Sequence, residues 1–392
     1  MTMQQAWHTA MSHARGLAQE PDTAMHAPIQ ITPVAPERKH ARGTPHRRLR
    51  RRNIALLLLA LLASGSYTGG YYAMYRILPW QTSNGMADAI LAGADGSNAI
   101  DPADTATAPD TSTQVHPSEA ASARRVARRV LHGRVEQETI ASSLLPGEHP
   151  LLIYLPPGYD GSRQRYPVLY LLHGAPGAFT DWQKAAGIDK TMDALITVGR
   201  VQPMIVVMPD GNGGPFSDTE WANNGRDVRA EDYLTQEVVP YIDAHYRTIA
   251  DRDHRAIGGL STGGYGAVNI ALHHPDLFGY ALGLSGNYLA TGTWTGQDIW
   301  YGNDDVKRFN SPLLYAPQLP LAARESLHIY LNVDPHDSDN NTAQQTRQFD
   351  TLLTELQVPH LTQYFDGGHS WTYWKTHIVD ALQYLQAAMP KH

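Results

Sequence analysis

Two short stretches hold the residue types best suited to chemistry in this chain: a serine between glycines, Gly259-Leu260-Ser261-Thr262-Gly263, and a histidine after glycines, Gly367-Gly368-His369. A serine hydroxyl is a weak nucleophile near neutral pH. It needs a base within hydrogen-bond reach, and the base needs an acid to orient it. The pattern G-x-S-x-G supplies a sharp strand-to-helix turn with the serine at its apex. A glycine-rich loop with no chemistry would satisfy the same pattern, so the context carries the reading. HRAIGG reads as a strand before Ser261, and GYGAVNIALHHP reads as a helix ended by Pro275 after it.

The expected chain order is nucleophile, acid, base. His369, in FDGGHSWTYW, follows the last predicted strand and precedes the last predicted helix, so it is the candidate base. The strand LHIYLNV runs into DPHDSDNN and offers three acids, Asp334, Asp337 and Asp339. Spacing does not separate them, and those not used read as an exposed acidic loop capping the next helix. Two backbone N–H groups must also face the oxyanion of a tetrahedral intermediate. One falls to Thr262, next to the serine, and the other to HGAPG, His173 to Gly177, after the strand PVLYLL. His173 itself reads as a structural hydrogen-bonding residue.

These residues must be held by a sheet. HPLLIYLP, PVLYLLHG, PMIVVMPDG, HRAIGGLS, YALGLSG, LHIYLNVD and HLTQYFDGG read as strands, several apolar without alternation, as in a sheet covered on both faces. AEDYLTQEVVPYIDAHY and TAQQTRQFDTLLTELQV read as helices between them. The pattern predicts an α/β domain over residues 124–392, with a mostly parallel sheet and helices on both faces.

The rest of the chain is different in texture. RRLRRR (Arg47 to Arg52) precedes the uncharged run Ile54 to Tyr75, whose end carries Tyr71, Tyr72 and Tyr75, with Trp80 just beyond. Residues 47–80 therefore read as a basic flank and single transmembrane helix with the C-terminal body outside, or alternatively as a cleaved secretory signal. Residues 1–46 read as a disordered cytoplasmic segment and residues 81–123 as a low-complexity linker. Residues 1–53 hold 9 basic and 3 acidic side chains, leaving 22 basic and 35 acidic in the remainder. So acidic a body argues against nucleic-acid binding. Cysteine is absent, which excludes disulfides, zinc-thiolate sites and cysteine nucleophiles. No metal, nucleotide or other cofactor site is read.

From about Ala141 to Met389 the chain resembles the putative esterase family of α/β-hydrolases, through YLPPGYD, YPVLYLLHGAPG, MIVVMPDGN, YLTQEVVPYIDAHY, IGGLSTGGYGA, HPDLFGYALGLSG and GGHSWTYW. The resemblance implies Ser261 as nucleophile, His369 as base, and the N–H groups of Thr262 and Ala175 as the oxyanion hole. It also ranks the acids: the family's G-x-x-D or G-x-x-E aligns with Asp334-Pro335-His336-Asp337, which selects Asp337, with Asp334 in place of the usual glycine and Asp339 next in rank. In the loop DGNGGPFSDTEWANN, at the sheet edge where substrates of this fold bind, Glu220 and Trp221 are candidate pocket residues, together with Trp182. The expected activity is hydrolysis of a small-molecule, glycan or lipid ester through an acyl-enzyme, outside the membrane. Acyl transfer to a sugar or lipid alcohol, and a non-catalytic wall-binding protein on the same scaffold, are the alternatives.

Overall fold

The computed structural model describes residues 87–90, 130–145, 147–212, 218–293 and 296–392. The transmembrane and disordered readings of residues 1–80 lie outside them. Among the described residues no helix is long and apolar enough to cross a membrane. Residues 87–90, within the stretch read as linker, form a helical turn whose Ile90 is buried in the core.

The strands β1 (Arg134–Ala141), β2 (Glu148–Leu155), β3 (Val168–Leu172), β4 (Ile205–Pro209), β5 (Arg255–Leu260), β6 (Tyr280–Leu284), β7 (His328–Val333) and β8 (His360–Tyr364) form one sheet. Their spatial order is β1-β2-β4-β3-β5-β6-β7-β8. From β4 to β8 across the sheet every pair is parallel, while β1 with β2 and β2 with β4 are antiparallel. All five residues of β3, β4 and β6 are buried. Alternate side chains leave such strands on opposite faces. Accordingly Leu151, Ile153 and Leu155 enter one core and Leu152 and Tyr154 the other.

Helices cover both faces. The first core receives Tyr233 and Val238 from α2 (residues 230–245), Val268 and Leu272 from α3 (Thr262–His273), and Phe349 and Leu353 from α4 (Thr342–Glu355). The second receives Met192 and Leu195 from α1 (Ile188–Thr197) and Ile378 and Leu382 from α5 (Trp371–Ala388). Helix α2 comprises Ala230–Asp232, a π turn Tyr233–Val238 and Val239–His245. The π turn ends two residues before Pro240, which has no N–H for the i→i−4 ladder.

Strand β1 is absent from the sequence reading. Its segment, RVEQETIA, is charged and largely open to solvent at the sheet edge, with only Ile140 fully buried, so it lacks the apolar signal of the central strands.

Candidate active site

The turn between β5 and α3 places Ser261 at φ 53° and ψ −123°, a conformation costing roughly 1–3 kcal/mol for a residue with a Cβ. The strained residue is thus the serine, and the flanking glycines serve space. A Cβ on Gly259 would sit 2.3 Å from the Gly263 carbonyl oxygen, and one on Gly263 would sit 2.4 Å from the His173 oxygen. The turn is pinned on both sides. Ser261 N–H donates to Leu284 O at 2.9 Å, and Tyr265 N–H donates to Ser261 O at 3.0 Å.

The Ser261 hydroxyl lies 2.9 Å from Nε2 of His369, whose Nδ1 lies 2.8 Å from Oδ2 of Asp337. A carboxylate only accepts, so this geometry assigns the N–H to Nδ1 and turns the Nε2 lone pair toward the serine hydroxyl. The Asp337 side chain is 2% exposed and that of His369 20%, so the acid is dry while the imidazole reaches the surface.

The three aspartates have three different positions. Asp337 meets Nδ1 of His369. Asp339 is 56% exposed, with Oδ2 at 3.5 Å from Nε2 of His369. Asp334 is buried; its Oδ2 accepts the N–H groups of Gly367 and Gly368 at 2.6 Å each, and its Oδ1 accepts that of His336 at 2.7 Å. The reading of the unused acids as an exposed capping loop is therefore corrected for Asp334, which fastens the glycine loop that carries His369. Those hydrogen bonds, led by the one from Gly368, hold its carboxyl below the usual carboxylate range.

The His173–Gly177 loop reaches the nucleophile. A Cβ on Gly174 would lie 3.2 Å from Cβ of Ser261, which puts the segment leading into Ala175 beside the serine. Thr262 is buried as the first residue of α3. His173 is buried, with Nδ1 donating to Gly174 O at 2.8 Å and Nε2 at 3.5 Å from Asp210, so its ring ties the ends of β3 and β4 together.

Trp182 and Trp221 are each 1% exposed. Their indole N–H groups donate to consecutive carbonyls at the end of β3, Trp182 to Leu172 at 2.8 Å and Trp221 to His173 at 3.0 Å. They clamp the start of the loop beside Ser261 and offer almost no surface to a ligand, so their reading as pocket-lining residues is corrected. Glu220 is also buried, at φ 51°, and burial followed by the nearby Asp218 pushes its carboxyl well above the usual range. Residues 213–217 of its loop are outside the described set.

Two contributors escaped the sequence reading. The Trp374 ring stands edge-on to His369 with centroids 4.9 Å apart, and its N–H donates to Ser285 Oγ at 3.1 Å. Trp371, half-buried, bridges Trp374 and Trp182 in edge-to-face contacts at 5.4 and 5.8 Å. The signal was the i, i+3 spacing of the two tryptophans directly after His369. Among the described residues no cluster of His, Asp and Glu is arranged to hold a metal ion.

Residues 142–385 match the family model described as putative esterase. The chain is 37% identical over 175 residues to an endo-1,4-beta-xylanase/feruloyl esterase of Xylanibacter ruminicola, covering 43% of this chain and 23% of that protein. It is 34% identical over 266 residues to an esterase of Mycobacterium tuberculosis, covering 59% of this chain and 54% of that one. It thus spans 23% to 54% of these relatives' lengths. A solved ferulic acid esterase superposes with a TM-score of 0.58 at 26% identity, over 66% of this chain and all of that one. The mostly parallel sheet and this likeness agree with an α/β-hydrolase fold.

Proposed function

Because the chain belongs to the putative esterase family, we propose that it is a serine-dependent carboxylic ester hydrolase working through an acyl-enzyme. The observation that carries this is the continuous line Asp337 Oδ2, His369 Nδ1, His369 Nε2, Ser261 Oγ, with both hydrogen bonds under 3 Å.

Ser261 Oγ attacks the ester carbonyl carbon as its proton passes to Nε2 of His369. The N–H groups of Thr262 and Ala175 receive the oxyanion. Collapse breaks the bond to the alcohol oxygen, which takes the proton from Nε2. Water then attacks the acyl carbon, gives a proton to Nε2, and a second collapse releases the acid and restores Ser261. Asp337 keeps the imidazole oriented and stabilises its protonated form.

Aromatic acyl groups of the hydroxycinnamate kind are the proposed substrates. Support comes from the feruloyl and ferulic acid esterases among the similar proteins and from the half-buried Trp371 beside the His369 loop. We assign residues 124–392 to the catalytic domain, with residues 47–80 exporting and anchoring it outside the membrane and residues 81–123 as a spacer that docks on the core through Ile90.

The test is labelling with a fluorophosphonate and turnover of methyl ferulate and p-nitrophenyl esters by the full chain. Ser261-dependent labelling and turnover are expected. Turnover that survives Ser261→Ala would overturn the assignment.

A further inference from the structure

The His369 imidazole has a carboxylate at each nitrogen, and only one of them is needed to orient it. Asp337 is buried at Nδ1, whereas Asp339 stands at the open side of Nε2, 3.5 Å away and 56% exposed. From this geometry we infer that Asp339 is a specificity-determining residue for the alcohol half of the ester, favouring cationic alcohols and disfavouring anionic ones. The inference rests on the serine-esterase reading above.

To take the proton from Nε2, the alcohol oxygen has to come within about 3 Å of that atom. A carboxylate at 3.5 Å from the same nitrogen then borders the first carbons of the alcohol. Any charge carried there feels Asp339 before it feels more distant groups. The backbone that carries the carboxylate is held in place: Asp339 N–H donates to Oδ1 of Asp337 at 3.0 Å, and Thr342 Oγ1 donates to the Asp339 backbone carbonyl. Among the described residues His369 is the one ion partner of Asp339. Arg347, the nearby cation in sequence, is engaged elsewhere, with Nη2 donating to Pro335 O at 2.7 Å and its guanidinium over the Tyr364 ring. Asp339 therefore keeps its charge for what enters from solvent.

At an exposed carboxylate a charge a few ångström away is worth about three- to tenfold in rate, which sets the expected size of the effect. The experiment compares kcat/KM for choline esters with that for their neutral isosteres, the 3,3-dimethylbutyl esters, in both the acetyl and feruloyl series. The choline-to-neutral ratio cancels losses common to both substrates. We expect the wild-type ratio to exceed one, to fall about three- to tenfold in Asp339→Asn, to hold in Asp339→Glu and to invert in Asp339→Lys. Raising salt to about 1 M should shrink the wild-type ratio toward that of Asp339→Asn, a reading that needs no variant. A ratio unmoved by both the substitutions and salt overturns the inference while the esterase reading stands. Absence of Ser261-dependent labelling and turnover overturns that reading, and the inference with it.

Discussion

Ser261 Oγ and His369 Nε2 lie 2.9 Å apart although 108 residues separate them in the chain. One stands on the turn after β5 and the other on the loop after β8, so the parallel sheet brings them together at its C-terminal edge, the edge where α/β folds place their sites.

Ser261→Ala is expected to lower kcat for p-nitrophenyl esters by roughly 10⁴- to 10⁶-fold and to abolish fluorophosphonate labelling. Asp337→Asn should fall in the same direction by about 10⁴-fold, because an amide at Nδ1 permits the wrong histidine tautomer. Steady-state rates with active-site titration check both. An Asp337→Asn variant at wild-type rate would show that Asp337 is not the orienting acid.

Asp334 should act on stability and on the placement of His369 together. Its carboxyl is held below the usual range, so its contribution is present above the ordinary carboxylate pKa and is lost as pH falls below about 4. The melting-temperature gap between wild type and Asp334→Asn should therefore be widest above pH 5 and close at lower pH. Thermal scans across that range test the sign, and a gap that widens on acidification would refute it.

Glu231 anchors a buried ionic cluster away from the site. His273 Nδ1 lies 3.1 Å from its carboxylate, His274 Nε2 lies 2.8 Å from it, and His273 Nε2 faces Phe309 O at 3.0 Å. Burial opposes ionisation, yet the two histidines hold the Glu231 carboxyl at about 2. Burial likewise opposes charge on His274, but Glu231 raises its pKa. The Glu231 contribution is lost as pH falls toward 2, and the His274 contribution is lost as pH rises through its elevated pKa. Glu231→Gln is expected to cost about 3–5 kcal/mol in urea unfolding near pH 6. Less than about 1 kcal/mol would contradict the cluster's role.

Trp182→Ala separates packing from substrate binding. A buried indole with its N–H bonded to Leu172 O should cost about 3–5 kcal/mol on truncation. KM for aromatic esters should change little under conditions where the variant remains folded. Unaltered stability with a large rise in KM would restore the pocket reading.

The central strands and the nucleophile turn were legible because their signals are local. Apolar runs such as VLYLL and IVVMP announce a doubly covered sheet, and the glycines around Ser261 announce a close strand-to-helix turn. β1 was not legible, because RVEQETIA, polar or charged at five of its eight positions and lying at the sheet edge, carries no apolar run. Trp182 and Trp221 misled for a related reason. Sequence shows that a side chain is aromatic, but only packing shows whether it faces a ligand or a β3 carbonyl.

Ser261, His369 and the family's set of acids could thus be named from residue type, order and spacing. Type and spacing did not divide the labour among Asp334, Asp337 and Asp339, which lie within six residues of one loop; there the family resemblance alone selected Asp337. The tertiary structure decides it through direction: Asp337 points inward to Nδ1, Asp334 turns to the amides of Gly367 and Gly368, and Asp339 remains in solvent beside Nε2. Hydrogen bonds act only at a few ångström and along fixed directions, so loop geometry, which spacing does not encode, assigned each carboxylate its partner.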